Sequence, residues 1–193
     1  PGMDVEESIE ISKIYSVSGL LTEKEPLVKI RPFRAPHHTV SVQALTGGGR
    51  RPKPGEISLA TGGILFLDEL PEFSRAALET LRQPLEDREV TVSRVEATVT
   101  YPANFQLVAA MNPCPCGHFP DLARCRCTEG QITRYLQKIS GPLLDRIDLC
   151  VEASPVTYGD VRGGGENEAS GAIRARVEQA REIQKERFME ENI

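Results

Sequence analysis

Tryptophan is missing from this 193-residue chain and aromatic residues make up only 5% of it, so any core has to be built from Ile, Leu, Val and Ala. No stretch approaches the ~20 consecutive apolar residues that a membrane span needs. No charged n-region followed by an apolar h-region marks a secretory leader. Strong positive charge is also lacking. The formal net charge is −5, which excludes a globally basic nucleic-acid binder while leaving room for a local basic patch. The five cysteines do not read as a secreted disulfide framework, and a reducing cytoplasm suits them. Absent, finally, is any G-x-x-x-x-G-K-[ST], the loop whose backbone cradles nucleotide phosphates. The nearest cluster, Gly47-Gly-Gly-Arg-Arg, lacks the Lys-Ser/Thr ending, which excludes tight nucleotide binding by this chain alone.

What is present begins with Thr61 to Phe73, T-G-G-I-L-F-L-D-E-L-P-E-F. Ile64 to Leu67 form a continuous apolar run, the pattern of a parallel strand covered on both faces. Ligands of parallel sheets sit beyond the carboxyl ends of the strands, where Asp68 and Glu69 emerge. A core strand that ends in two solvated acids has the same pattern. A second apolar run, Phe105 to Met111, ends at Asn112 before Pro113.

The remaining segments fall into place around these two. Asp4 and Glu7 before Ile9, Ile11, Ile14 and Tyr15 predict a capped helix that ends near Gly19. Leu27 to Pro36, with Pro32 and Pro36, predicts a short edge strand, and Thr46 to Gly55 a mobile basic loop. Ser74 is placed to cap a helix that buries Ala77, Leu78 and Leu81 and stops at Pro84. Glu89–Ser93 and Ala97–Tyr101 alternate as a β-hairpin with Arg94 at its tip. Spacing leaves open whether Arg94 contacts a nucleic-acid phosphate or the ribbon only packs on its own domain. Residues 156–170 are Gly-rich and polar, a linker, and Ile173, Val177, Ala180 and Ile183 recur at helical spacing beyond it.

The cysteines pair as Cys114-Pro-Cys116 and Cys125-Arg-Cys127. A loop that folds back brings four thiolates around one structural Zn²⁺, with His118 as a substitute ligand. Four free thiols in a loop satisfy the same spacing, which is tighter than the usual C-x₂₋₄-C. Cys150, between Leu149 and Val151, reads as a buried small hydrophobe in an apolar strand. His37 and His38 read as extended, with their rings on opposite faces and a polar packing role.

In this order the acid pair, the Asn112 strand and Gly141-Pro-Leu-Leu-Asp-Arg146-Ile-Asp resemble the Walker B, sensor 1 and arginine-finger segments of AAA+ ATPases. R-P-F-R-A-P-H-H-T (31–39), P-G-E-I-S-L-A (54–60) and N-P-C-P-C-G (112–117) are similar to the magnesium-chelatase-like family. The similarity lies within the branch that carries such cysteine pairs rather than with the chelatase subunit itself.

The resemblance implies an α/β fold: a partial P-loop AAA+ core with a parallel sheet, helices on both faces and inserted β-hairpins, followed by the first helix of a lid domain. The core would occupy residues 1–155, the linker 156–170 and the lid 171–193. Family members carry the phosphate loop just upstream, so the chain looks like an internal fragment, inactive alone. By the same resemblance Asp68 holds Mg²⁺, Glu69 polarises the attacking water, and Asn112 positions that water or the γ-phosphate of ATP. Arg146 reaches the site of the next subunit in a homo-oligomeric ring, a hexamer. From the residues alone, Arg146 equally suits an internal pair with Asp145 or Asp148, and Asn112 a turn cap. The implied activity is ATP-driven DNA work such as helicase action or branch migration. A chelatase-type motor and a zinc-stabilised binding module without turnover are the alternatives.

Overall fold

The computed structural model describes residues 2–94, 97–153 and 168–190 and falls into two units. One is Asp4–Asp148, and the other is made of Pro1–Met3 with Leu149–Ile193. In the larger unit, α1 (Val5–Ser18) opens with Asp4 accepting from Glu7 N and the Glu7 carboxylate accepting from Asp4 N, a complete capping box. The helix stops at Gly19, whose φ of 73° is open to glycine at no steric penalty. Ile11, Ser12 and Ile14 are its buried residues, and Glu7 also pairs with Arg31 at 2.7 Å.

Three parallel strands, β1 (Phe33–Arg34), β4 (Ile64–Leu67) and β7 (Gln106–Ala109), lie in the order β1-β4-β7. The edge position foreseen for the first of them is what the prolines around it allow. Gly63 enters β4 so close to its neighbour that an added Cβ would come within 1.9 Å of Pro32 O. Leu65 and Leu67 are fully buried and join a core with Leu45 of α2 (Val42–Thr46), Ile57 of α3 (Glu56–Leu59) and Leu78 of α4 (Arg75–Glu79). Ile64 and Phe66 on the other face are half-buried, and beside them Phe33 stays 62% and Val108 37% exposed. Burial on both faces therefore holds in full only for the leucine side. Leu67→Ala is expected to cost about 2–5 kcal/mol, read by chemical denaturation of this chain. A loss below about 1 kcal/mol would show that the leucine face is not packed as described.

Two local expectations are corrected. Pro84 does not end the helix begun at Ser74. The break comes earlier, at Thr80 and Leu81, where the Thr80 hydroxyl donates to Ala77 O at 2.6 Å and competes with the backbone ladder. Pro84 then sits in the first turn of α5 (Arg82–Asp87), where its missing N–H is not needed. The glycine-rich stretch 46–55 is also more ordered than foreseen: β2 (Gly47–Gly48) pairs antiparallel with β3 (Lys53–Pro54). Only glycine suits position 47, with φ 103° and a Cβ site 2.3 Å from Lys53 O.

The hairpin forms as expected from β5 (Glu89–Ser93) and β6 (Thr98–Pro102). Val90, Val92 and Tyr101 turn inward, and Tyr101 OH donates to Pro52 O at 2.8 Å. Two short helices follow, α6 (Glu129–Leu136) and α7 (Gly141–Leu144). Taken by itself, the smaller unit holds α8 (Ser170–Glu190), the expected helix, with Ile173, Val177 and Ile183 exposed. Residues 154–167, most of the expected linker, lie outside the described residues. Cys150 is exposed rather than buried. Leu149 and Val151 are 84% and 90% exposed, because among the described residues no strand pairs with them to form the apolar layer expected there. No helix among the described residues is long and apolar enough to cross a membrane.

Candidate functional site

Strand β4 carries Asp68 and Glu69 out of its carboxyl end, and both side chains are exposed. The Asp68 carboxylate accepts from Glu69 N at 2.9 Å. Glu69 then adopts φ 53°, ψ 46°, a left-handed conformation that side chains other than Gly, Asn and Asp seldom take. A 3-10 turn, Leu70–Glu72, follows at once, with Leu70 and Pro71 buried. The reversal at Glu69 sends its carboxylate toward His38, whose Nδ1 lies 3.1 Å from Glu69 Oε2.

The two histidines are not extended on opposite faces. The chain turns at His38 and Thr39, with Val40 N donating to His37 O at 2.9 Å. The turn brings the rings together, centroids 4.0 Å apart and tilted by 35°. His38 also meets the buried Phe73 ring edge-on at 6.4 Å, and His37 Nδ1 is 2.9 Å from Thr39 Oγ1. His38 thus joins the candidate site through Glu69, a placement that spacing did not identify. Its signal was the His pair just after the edge strand, a motif whose chemistry only the turn makes legible.

The parallel ladder between β4 and β7 runs past the strand ends, with Ala110 N donating to Leu67 O and Leu70 N to Ala110 O, both at 2.9 Å. Asn112 therefore leaves the sheet at the same edge as the two acids. Burial is the leading influence that pushes the Tyr135 phenol up. Asn112 is exposed, and Gly117 folds back until its Cβ site is 3.8 Å from the Asn112 carboxamide.

Beyond Asn112 the four cysteines of the two pairs converge. The sulfurs of Cys114, Cys116, Cys125 and Cys127 all lie within 4.8 Å of one another. The 114–116, 114–125 and 116–125 separations are 3.4, 3.8 and 3.6 Å. A tetrahedron of thiolates at the usual Zn–S length of ~2.3 Å has edges of ~3.8 Å, so the donor set fits one Zn²⁺, while the spacings are far too long for a disulfide. Cys114 is buried and Cys116 exposed. The backbone N–H of Arg126 is the main influence drawing the Cys116 thiol down to about 6. Burial is the main one pushing Cys127 up to about 12. His118 stands outside the sulfur set and lines a hollow of about 460 Å³ with Cys116, Ala123, Arg124 and Arg126.

The basic candidates are held by their own contacts. Arg146 follows α7 and pairs with Glu86 of α5, not with Asp145 or Asp148, while its Nη1 donates to Pro142 O at 2.7 Å. The same pair holds the Glu86 carboxyl below its usual range. Arg94 donates to Ser93 O at 2.8 Å, and its guanidinium covers Gly48, whose Cβ site is 2.8 Å away. Its neighbours Val95 and Glu96 lie outside the described residues. Asp68, Glu69 and Asn112 thus share one edge of the sheet.

The family described as magnesium chelatase, subunit ChlI, matches residues 1–161. The chain is 55% identical over 160 residues to competence protein ComM of Haemophilus influenzae, covering 82% of this chain and 31% of that protein. It is 46% identical over 185 residues to YifB of Salmonella typhimurium, covering 95% of this chain and 36% of that protein. The chain therefore spans about a third of the length of these relatives. A crystal structure of NtrX from Brucella abortus in complex with ADP aligns with 42% of this chain and 19% of its own. It does so at 25% identity and a TM-score of 0.35, a likeness too partial to bear on the site.

Proposed function

We infer, from the premise that this chain belongs to the magnesium chelatase ChlI family, that it forms part of the ATPase core of a ring-forming AAA+ motor acting on DNA. Family membership supports the ATPase in general. The observation that carries the site is the delivery of Asp68 and Glu69 by one strand of a parallel sheet and Asn112 by its neighbour, at one edge. The similarity to a competence protein supports DNA as the substrate the motor works on.

An exposed carboxylate is a hard oxygen donor of the kind Mg²⁺ takes, and Asp68 keeps its second oxygen for it. Bound Mg²⁺-ATP would supply the phosphoryl group and the cation that neutralises its charge. Glu69 holds and polarises the attacking water. His38 orients the Glu69 carboxylate from the side. Asn112 aligns the water from the neighbouring strand, and Arg146, released from Glu86, reaches the site of the adjacent subunit in a homo-oligomeric ring. The four thiolates hold a structural Zn²⁺, closed to chemistry because no coordination position is left open. Arg94, at the hairpin tip, is the proposed DNA contact. In this scheme residues 1–155 are core and 171–193 begin the lid, joined by the linker 156–170.

The test is ATP hydrolysis by the full-length protein with and without branched DNA. Turnover that rises with branched DNA supports the DNA motor. Turnover indifferent to DNA keeps the ATPase and moves the chelatase-type motor to the front, with metal insertion into a porphyrin as the next assay. No turnover in an assembled preparation overturns the motor and leaves a metal-stabilised binding module. His38→Ala is expected to lower kcat about tenfold with nucleotide affinity unchanged, as loss of an orienting neighbour does. An unchanged kcat would remove His38 from the site.

A further inference from the structure

We propose that the four-cysteine loop is a metal clamp that fixes the Asn112 carboxamide, so that the thiolate-bound ion acts on ATP turnover through the position of that amide. This rests on the ATPase reading above and adds a route by which a metal distant from the chemistry controls it.

The loop has almost nothing else to hold it. Between Ala109 and Glu129 the chain forms no helix or strand. Its backbone bonds beyond Ala110, among the described residues, are local: Gly117 to Cys114 O, Asp121 to His118 O, Arg124 and Cys125 to Asp121 O. Its large apolar side chains, Met111, Phe119 and Leu122, are exposed. Long segments without secondary structure in a compact domain are uncommon unless they have a function or a tie. Here the tie is the sulfur cluster, and Cys114 is its buried member.

Asn112 is caught in that tie from three directions. On one side Ala110 is pinned to β4 and to Leu70 by two 2.9 Å bonds. On the other, after Pro113 with its fixed φ, comes Cys114, the first sulfur of the cluster. Across the loop Gly117, next to the second sulfur and held at φ 78°, faces the carboxamide, its Cβ site 3.8 Å away. The last sulfur, Cys127, directly precedes Thr128, the capping residue of α6. Binding one ion at four sulfurs therefore fixes Cys114, two residues after Asn112, and Cys116, next to the glycine that faces its carboxamide. Residues that hold a reacting group in place act in this way, and a displacement of ~1 Å is enough to cost ~10²-fold in rate.

The experiment uses the full-length protein and reads zinc content by elemental analysis, kcat and KM for ATP, and hydrogen exchange. Cys127→Ser removes the ligand most distant in sequence from Asn112. It is expected to abolish zinc binding and lower kcat about 10²-fold while KM stays within about twofold. Asn112→Ala is expected to lower kcat to the same extent, and the double variant to fall no further, because both act on one interaction. Cys127→His, which completes a Cys₃His set, is expected to restore the ion and most of the turnover.

Zinc lost with kcat unchanged, strictly additive losses, or wild type that binds no metal would each overturn the proposal. Hydrogen exchange separates its failure from that of the ATPase reading. Stripping wild-type protein with a zinc-selective chelator must deprotect residues 111–117 while β4 stays protected. Unaltered protection overturns the clamp even in a preparation without turnover.

Discussion

Full-length protein carrying Glu69→Gln is expected to bind ATP as the wild type does and to turn it over about 10²- to 10⁴-fold more slowly, the contribution of a positioned general base. The substitution preserves the shape of the side chain and removes only its charge and basicity. Glu69 is exposed and its neighbours are few: His38 at 3.1 Å and the Asp68 carboxylate that its own N–H meets. No core packing depends on its charge, so a fall in kcat cannot be assigned to unfolding. The measurement is kcat beside the dissociation constant of a fluorescent ATP analogue. Wild-type turnover in the variant would place the water-activating group elsewhere, and lost nucleotide affinity would make Glu69 a binding group instead.

Arg146→Ala is expected to lower turnover about 10³-fold or more, the range for an arginine that stabilises charge on a transferring phosphoryl group. In a single chain this arginine pairs with Glu86 and with Pro142 O. The first contact is an exposed ion pair, weak enough to exchange for a phosphate. Subunit mixing decides between action within a chain and action between chains. Assemblies of Arg146→Ala subunits mixed with Glu69→Gln subunits contain some interfaces with an intact glutamate on one side and an intact arginine on the other. Partial recovery of turnover, above either parent alone, is expected for action between subunits. No recovery would confine Arg146 to its own chain and end its part in a ring.

Much of the scaffold was legible because its signals are local. Asp4 and Glu7 lie three residues apart, as a capping box requires. Prolines kept β1 at the edge, and the alternation of Val90, Val92 and Tyr101 decided which face of the hairpin turned inward. The apolar run into Asp68 placed the acids correctly, and two C-x-C pairs were enough to foresee one sulfur cluster.

What escaped depends on contacts between distant segments. A turn at His38 cannot be inferred from Pro36-His-His-Thr, nor its partner Glu69, thirty-one positions on. Arg146 has acids on both sides in sequence yet selects Glu86, sixty positions away, because α5 and the end of α7 are neighbours only in the fold. Thr80 breaks a helix that Pro84 was expected to end. Hydrophobicity misled at Leu149–Val151, where an apolar run has no partner strand among the described residues.

The left-handed backbone at Glu69 limits evolution at that position from two sides. A glutamate in this conformation costs about 1–2 kcal/mol that glycine would not incur, so selection for stability alone would replace it. An acid at this position requires a use for its carboxylate that outweighs that cost. The same position is where directed evolution toward thermal tolerance would readily gain stability and lose the protein's work in a single step.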